Sequence, residues 1–377
     1  MKFTVKKSVI LEGLEKASKG VAKTSTLPIL SGILLKVTEE EVVFTGSSSD
    51  TSIKVVLPVD NEDIVVEQPG ATVLQRKAVD IVKKLKDGDV VFETDKKDFT
   101  TITSNSVVFD IAGFTAEEFP KLPEISKDIQ PSFTLNGKEF QDIVRKTSFC
   151  ASTTDTRPIL QAVFFDIKED CIDFCATDSH RLGKVTYSVK NSEESKYPVP
   201  SKSVIDMTKV FDFELDVEVF VQSNTQAVFR NGNTIFLSRL LEGNYPDVSR
   251  LIPNDFKTEI ALNRKEFEQS LEQLAVLSDE GKNKSVVKME IEGLMVSLES
   301  SEPQKGKGKV ELAYSHFEGE PLTISFSSKY ALDAVKSFST EEINLRFQGD
   351  MRPFLVTPVE SNENMDCIQL ILPVRTT

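Results

Sequence analysis

Three repeated α+β domains, each with antiparallel strands and two helices, are what this 377-residue sequence predicts. Two markers keep one period, the mark of a repeat architecture. The first is "FTVKKSVI" from Phe3, "FTLNGKEF" from Phe133 and "IALNRKEF" from Ile260, with starts 130 (133 − 3) and 127 (260 − 133) residues apart. The second is "LQRKAVDIVKKL", "PSKSVIDMTKVF" and "SSKYALDAVKSF", where Arg76, Lys202 and Lys329 align at steps of 126 (202 − 76) and 127 (329 − 202). Domains are expected near 1–127, 128–253 and 254–377.

Each first marker reads as a short strand feeding an amphipathic helix, and each second marker as a further helix. Between them, "SGILLKVTEEEVVFTGSSSDTSIKVVLPV" and "QAVFFDIKEDCIDFCATDSHRLGKVTYSV" share a hairpin rhythm of β-branched and aromatic residues between polar turns. Pro28-Ile29-Leu30 returns as Pro158-Ile159-Leu160. The Pro-bearing stretches "PEISKDIQPS" and "NYPDVSRLIPNDFK" read as linkers, and "SEPQKGKGKV" as a Lys/Gly loop between strands.

The second helices carry the informative pattern. A basic residue is followed by Asp four positions on and Lys seven on, as Arg76-Asp80-Lys83, Lys202-Asp206-Lys209 and Lys329-Asp333-Lys336. Those positions share a helix face. One such row is an ordinary solvated face with intrahelical ion pairs. Three at one period suggest a shared surface for loose phosphate contact, which Lys, a flexible and strongly hydrated charge, suits. Lys6, Lys7, Lys16, Lys19 and Lys23 add to it in the first copy. No aromatic interleaving for stacked bases accompanies them, which disfavours single-strand recognition.

Composition narrows the function classes. Net charge is −14 and the hydrophobic fraction 39%, an ordinary globular mixture. An acidic chain meets phosphates poorly as a whole, but a local basic stripe survives inside an acidic shell. Cys150, Cys171, Cys175 and Cys367 form no CxxC pair and read as reduced thiols in a cytoplasm. The N-terminal stretch lacks the apolar region of a secretory signal, and no apolar run reaches membrane-spanning length, so no membrane role is expected. There is no P-loop, GxGxxG, HExxH or metal-ligand spacing, so neither a metal nor a cofactor is expected.

"CATDSHRLGKV", residues 175–185, places Asp178, Ser179 and His180 side by side. A catalytic relay needs the imidazole to bridge hydroxyl and carboxylate from converging parts of a fold. Consecutive residues of an extended segment point to opposite faces, so Ser179 is expected to turn away from its neighbours. A Ser/His hydrolase is therefore the weaker reading, and no catalytic residue is assigned.

The chain resembles the bacterial β sliding clamp family, the processivity subunit of DNA polymerase III. The likeness runs the whole length, through "MKFTV", "TLPIL", "ATDSHRL", "GNYPDVSRLIP", "MRPFLVTPVE" and "QLILPVRTT". It implies a head-to-tail homodimer forming a ring of six DNA-clamp domains, with antiparallel sheets outside and two helices per domain lining a hole around duplex DNA. Lys23, Arg76, Lys83, Lys202, Lys209, Lys329 and Lys336 would then face the DNA, without sequence readout. It also implies a hydrophobic pocket for short peptides of the replicative DNA polymerase, the clamp loader and repair factors. Its matching positions are Leu160, Thr177, His180, Arg181, Leu182, Pro246, Arg250, Leu251, Leu370 and Leu372. Leucines and Pro246 would form the floor, with Thr177, His180 and the arginines orienting the peptide. The dimer contact implied is Phe109 on a first-domain strand with Val276 and Leu277 on a third-domain helix. Departures are Ala162 and Ser179, where many members carry glycine, Pro158-Ile159 in place of aromatics, and the Thr376-Thr377 tail. A clamp-like peptide scaffold that never encircles DNA is the alternative.

Overall fold

The structure is a computed structural model, and it describes residues 1–22, 27–121, 130–190, 194–223, 225–277, 286–292, 295–302, 306–360 and 364–375. The first repeat opens with β1 (Lys2–Lys6) and α1 (Lys7–Ser18). Then come β2 (Gly32–Val37), β3 (Glu41–Ser47), β4 (Thr51–Pro58), β5 (Ile64–Gln68) and β6 (Gly70–Gln75). It closes with α2 (Lys77–Lys84), β7 (Asp89–Thr94), β8 (Phe99–Ser104) and β9 (Val107–Phe114).

The second repeat has the same plan, with one strand fewer among the described residues. It starts with β10 (Phe133–Leu135), α3 (Gly137–Thr147), β11 (Ala162–Ile167), β12 (Cys171–Thr177) and β13 (Arg181–Ser188). It continues with β14 (Ser195–Pro200), α4 (Ser201–Met207), β15 (Val217–Ser223), β16 (Gln226–Asn231) and β17 (Thr234–Arg239). The third has β18 (Thr258–Asn263), α5 (Arg264–Ala275), β19 (Val286–Glu292), β20 (Met295–Glu302) and β21 (Gly306–Leu312). After these come β22 (His316–Gly319), β23 (Leu322–Ser327), α6 (Ser328–Lys336), β24 (Glu342–Phe347), β25 (Phe354–Pro358) and β26 (Met365–Ile371).

The strand-to-helix starts form for local reasons. Asn136 Oδ1 accepts from the backbone N–H groups of Lys138 and Glu139 (3.1 and 3.4 Å), and Asn263 Oδ1 from those of Lys265 and Glu266 (3.1 Å each). These side chains satisfy donors that a helix start leaves orphaned. In the first repeat Lys6 holds the place and gives no side-chain cap. Buried Ile10, Gly13, Leu14 and Ala17 on α1, and Phe267, Ser270, Leu271 and Leu274 on α5, follow the helical period that faces a core.

Two strand pairings continue sheets from one repeat into the next. β17 pairs antiparallel with β4 in a thirteen-stranded sheet, and β26 with β13 in a nine-stranded one. The chain accordingly divides into two interleaved compact units, Met1–Phe140 with Ser203–Leu240 and Gln141–Lys202 with Leu241–Thr377. The middle repeat is shared between them because each of its halves completes a neighbour's sheet.

Several sequence expectations need correction. "SEPQKGKGKV" is not simply a loop, since Gly306–Leu312 is a full strand paired with β20. Its alternating Lys and Glu sit on an edge strand, where charge is tolerated. "NYPDVSRLIPNDFK" is packed rather than a free linker. Tyr245 stacks on Phe164 (4.5 Å, 3°) and Val248 is buried, so its apolar residues dock on the sheet. Of "PEISKDIQPS", residues 123–129 lie outside the described residues, as do Lys23 and Thr376-Thr377. α4 ends at Met207, leaving Lys209 in the turn beyond it, where the Thr208 hydroxyl bonds back to the Ile205 carbonyl (2.7 Å). α5 ends at Ala275, so Val276 is its C-cap and Leu277 follows the helix.

Candidate functional site

The turn between β12 and β13 is organised by its own side chains. Asp178 accepts from the backbone N–H of His180 (2.9 Å) and of Arg181 (3.1 Å), and from Arg181 Nε (3.0 Å). The Thr177 hydroxyl donates to the Arg181 carbonyl (2.6 Å) and accepts from the Ser179 N–H (3.2 Å). Ser179 is not extended, as the sequence suggested, but adopts φ 75°, the left-handed region that glycine enters without cost. Asp178 is thus committed to the backbone and Arg181, and the three adjacent residues assemble no relay. Burial pushes the Cys175 and Cys367 thiols up to about 12, which disfavours the nucleophilic thiolate at those two positions.

Arg181 is not a free peptide-orienting side chain. Its side chain is only 11% exposed, with Nη1 donating to Asp333 on α6 (2.6 Å) and Nη2 to the Phe149 carbonyl (2.6 Å). Its guanidinium lies 4.6 Å from the Tyr330 ring centre, a cation–π contact. Asp333, expected in the basic row, therefore serves as the anchor of this turn.

Beside the turn lies an apolar cluster. Leu182 faces Leu370 across the β13–β26 pairing, and the Leu372 N–H continues that ladder to the His180 carbonyl (3.0 Å). Buried Cys175, Leu182, Val248, Leu355 and Leu370 pack together, with Phe164, Tyr245, Ile252, Phe256 and Leu372 partly buried against them. A cleft of about 520 Å³ shares Phe164, Cys175, Tyr245 and Val248 with this cluster and is otherwise lined largely by polar and charged residues, among them Asp166, Lys168, Asp173 and Lys184. Thr177 is buried, while His180 and Pro246 are exposed at the rim. His180 stands 6.3 Å, ring to ring, from Tyr330.

The expected set is only partly assembled. Leu182, Leu370 and Leu372 meet in one cluster, whereas Leu160 is buried on the turn Pro158–Gln161 outside it. Leu251, expected in the floor, is 52% exposed, and Arg250 points outward against Asp247 (3.1 Å). Tyr245, Val248, Ile252, Phe256 and Tyr330 were missed. The first four recur three, four and four residues apart through the presumed linker, and this spacing of apolar residues was the available signal.

The basic rows divide by position. Arg76, Lys202 and Lys329 are exposed at or near the starts of their helices. The later members hold carboxylates, with Lys83–Glu15 (2.8 Å) tying α2 to α1 and Lys336–Glu272 (2.7 Å) tying α6 to α5. Lys209 pairs locally with Asp206 (2.7 Å). Phe109 is 41% exposed on β9 and Val276 79% exposed. Among the described residues no group of three or more His, Cys, Asp or Glu could hold a metal ion, and no helix is long and apolar enough to cross a membrane.

Comparison with known proteins fits this architecture. Residues 1–123, 134–247 and 249–375 match the N-terminal, central and C-terminal domains of the DNA polymerase III beta subunit. The beta sliding clamp of Staphylococcus epidermidis is 37% identical over 382 residues, covering all of both chains. The crystal structure of the Bacillus subtilis DNA polymerase sliding clamp superposes with a TM-score of 0.94 at 37% identity, again over the full length of both. That of the Streptococcus pyogenes DNA polymerase beta subunit gives 0.93 at 31% identity and the same coverage. By these matches along its whole length, the chain belongs to the DNA polymerase III beta subunit family, the bacterial β sliding clamps, and is a non-catalytic clamp of DNA replication.

Proposed function

We propose that this clamp works as a head-to-tail homodimer that encircles duplex DNA and holds its partners through the groove beside the 178–180 turn. The observation that carries the partner reading is the apolar cluster in which Leu182, Leu370 and Leu372 meet beside the 178–180 turn. Its occupants are short hydrophobic peptides of the replicative DNA polymerase, the clamp loader and repair factors. A buried Leu or Phe contributes about 1.5–3 kcal/mol, offset by the cost of association, which suits partners that take turns. Leu160, Pro246, Arg250 and Leu251 border this groove in the peptide-bound state, and His180 and Thr177 hold its rim. Arg181 acts through the turn that it fastens.

Arg76, Lys202 and Lys329 form the DNA-facing set, with Lys23, Lys83, Lys209 and Lys336 as secondary members. Contact through flexible, exposed lysines gives attraction without a fixed register, which permits sliding. The three domains run near 1–127, 128–253 and 254–377, and the protein works in the cytoplasm. Phe109, Val276 and Leu277 supply the contact between copies.

Reversing Arg76, Lys202 and Lys329 to Glu is expected to shorten retention on nicked circular DNA after loading, measured by gel filtration of the loaded plasmid. Wild-type protein should slide off the same plasmid once it is linearised, and bind free linear duplex weakly and salt-sensitively. Equal retention on circular and linear DNA would instead identify a peptide scaffold that does not encircle it.

A further inference from the structure

The sheet face that carries Leu182 and Leu370 continues beyond them. Residues two apart on a strand share a face, so the strand register sorts that face into rows. One row runs Thr177, Leu182, Leu370 and Leu355. The next runs Pro198, Phe164, Cys175 and Lys184, and the third Lys196, Asp166, Asp173 and Thr186. The face thus passes from leucines to charges within two rows. Residues 243–249 cross it, with Tyr245 stacked on Phe164 and Val248 packed in the cluster of Leu182. Members of the second and third rows line the cleft of about 520 Å³ beside this crossing.

Asp173 organises the charges there. It is only 5% exposed, and it accepts from Lys168 (2.5 Å), the Thr186 hydroxyl (2.5 Å) and Lys184 (3.1 Å). Burial by itself raises the Asp173 carboxyl, but the contacts with Lys168, Thr186 and Lys184 outweigh it and hold the group below its ordinary value. Asp173 is therefore a fixed anion that keeps two ammonium groups at the cleft. Asp166 is met more loosely, by Lys196 at 3.6 Å and Lys168 at 3.9 Å. Asp247, on the rim, is held by Arg250 and the Ser249 hydroxyl. Four cations thus face three carboxylates, a local excess of positive charge in a chain of net charge −14. An ammonium has three donors, and Lys184 and Lys196 each form one ion pair among the described residues. The carboxylates are already engaged, and the groups left to meet a ligand are N–H donors.

Resting on the peptide reading above, we infer that this cleft receives an acidic side chain flanking the hydrophobic residues of a partner peptide. Lys184 and Lys196 donate to its carboxylate, and Asp173 positions Lys184. The cleft and the groove are neighbours on one face, and Cys175, Tyr245 and Val248 belong to both. Strand spacing sets the reach. From Thr177 to Asp173 is four residues, about 13 Å of extended chain. A peptide that seats its Leu or Phe on the first row therefore brings an acidic residue to the lysines about two to four positions away. The Lys184 and Lys196 side chains are 21% and 69% exposed, so the contact sorts partners more than it tightens them.

Extended Leu-Phe peptides test this. One carries two Asp residues before the hydrophobic pair, another carries them after it, and Ser replaces Asp in the controls. At low salt, at least one acidic peptide is expected to bind the wild-type protein about fivefold tighter than its Ser control, measured by fluorescence anisotropy. The gain should vanish at about 1 M salt, where the screening length falls to about 3 Å. Lys184→Gln with Lys196→Gln should abolish the gain and leave the affinity for the Ser controls unchanged. Lys196→Gln alone, at a side chain 69% exposed, keeps the Asp173 contacts intact and should lose part of the gain. No gain from either acidic peptide, or a gain that survives in the double variant, overturns the acidic subsite while leaving the groove standing. Failure of the Ser controls to bind at all overturns the groove itself, and the subsite with it.

Discussion

Arg181, which family likeness places in a peptide pocket, is committed to its own turn. Its guanidinium joins Asp178, Asp333 and the Phe149 carbonyl while largely buried, so it sets the shape of the 178–180 turn. Removing one charged partner leaves the others in place but weakens a buried charge-assisted bond. Asp333→Asn, nearly isosteric, is therefore expected to destabilise this unit by about 2 kcal/mol, the usual scale for a hydrogen bond to a charged group. Urea unfolding measures it, and an unchanged midpoint would show that the Asp178 contact suffices. Ser179 adds a smaller lesson, since a non-glycine residue at φ 75° persists because its N–H is bound by Thr177.

At the scale of elements, β26 and the segment after it supply Leu370 and Leu372 to the apolar cluster of the proposed groove. β26 supplies Leu370, and beyond it Leu372 is held by the His180 carbonyl while the Val374 N–H reaches the Ser325 carbonyl (2.7 Å). Ending the chain after Ile371 removes the Leu372 side chain and both of these backbone ties. Peptide affinity is expected to fall about tenfold or more, the loss that follows from one buried leucine, with the dimer retained. Fluorescence anisotropy with a Leu-Phe peptide measures the first and native mass the second. Unchanged affinity would move the groove elsewhere. The helices behave differently along their length, because Lys83 and Lys336 bridge to Glu15 and Glu272 whereas Arg76, Lys202 and Lys329 stay exposed. Surface bridges of this kind contribute roughly 0–1 kcal/mol, so they leave the lysines able to exchange carboxylate for phosphate.

For the whole molecule, the feature that bears on assembly is exposed apolar surface on β9 and just after α5. Val107, Val108 and Phe109 on β9 are 41%, 59% and 41% exposed, and Val276 beside Leu277 is 79% exposed. Contiguous apolar surface of this sort marks an interaction site rather than an idle face. Val276→Ala with Leu277→Ala is expected to yield folded monomers that still bind peptide, because neither residue belongs to the groove. Sedimentation at nanomolar concentration checks this, and a persisting dimer would place the contact elsewhere.

The sequence by itself determined the repeat, the strand-to-helix starts and the second helices. All of these follow from local periodicity and capping, which neighbouring residues write directly. It also marked Leu182, Leu370 and Leu372, through short motifs far apart in the chain. Tertiary structure alone decided that these three meet, since a strand pairing between residues 181–187 and 365–371 has no local signal. It alone turned "NYPDVSRLIPNDFK" from a linker into a packed segment, by docking Tyr245 and Val248 on the sheet. It also withdrew Arg181 from the pocket to which family likeness had assigned it, and Asp333 from the helix-face row, because a charge shows in the sequence and its partner only in the fold.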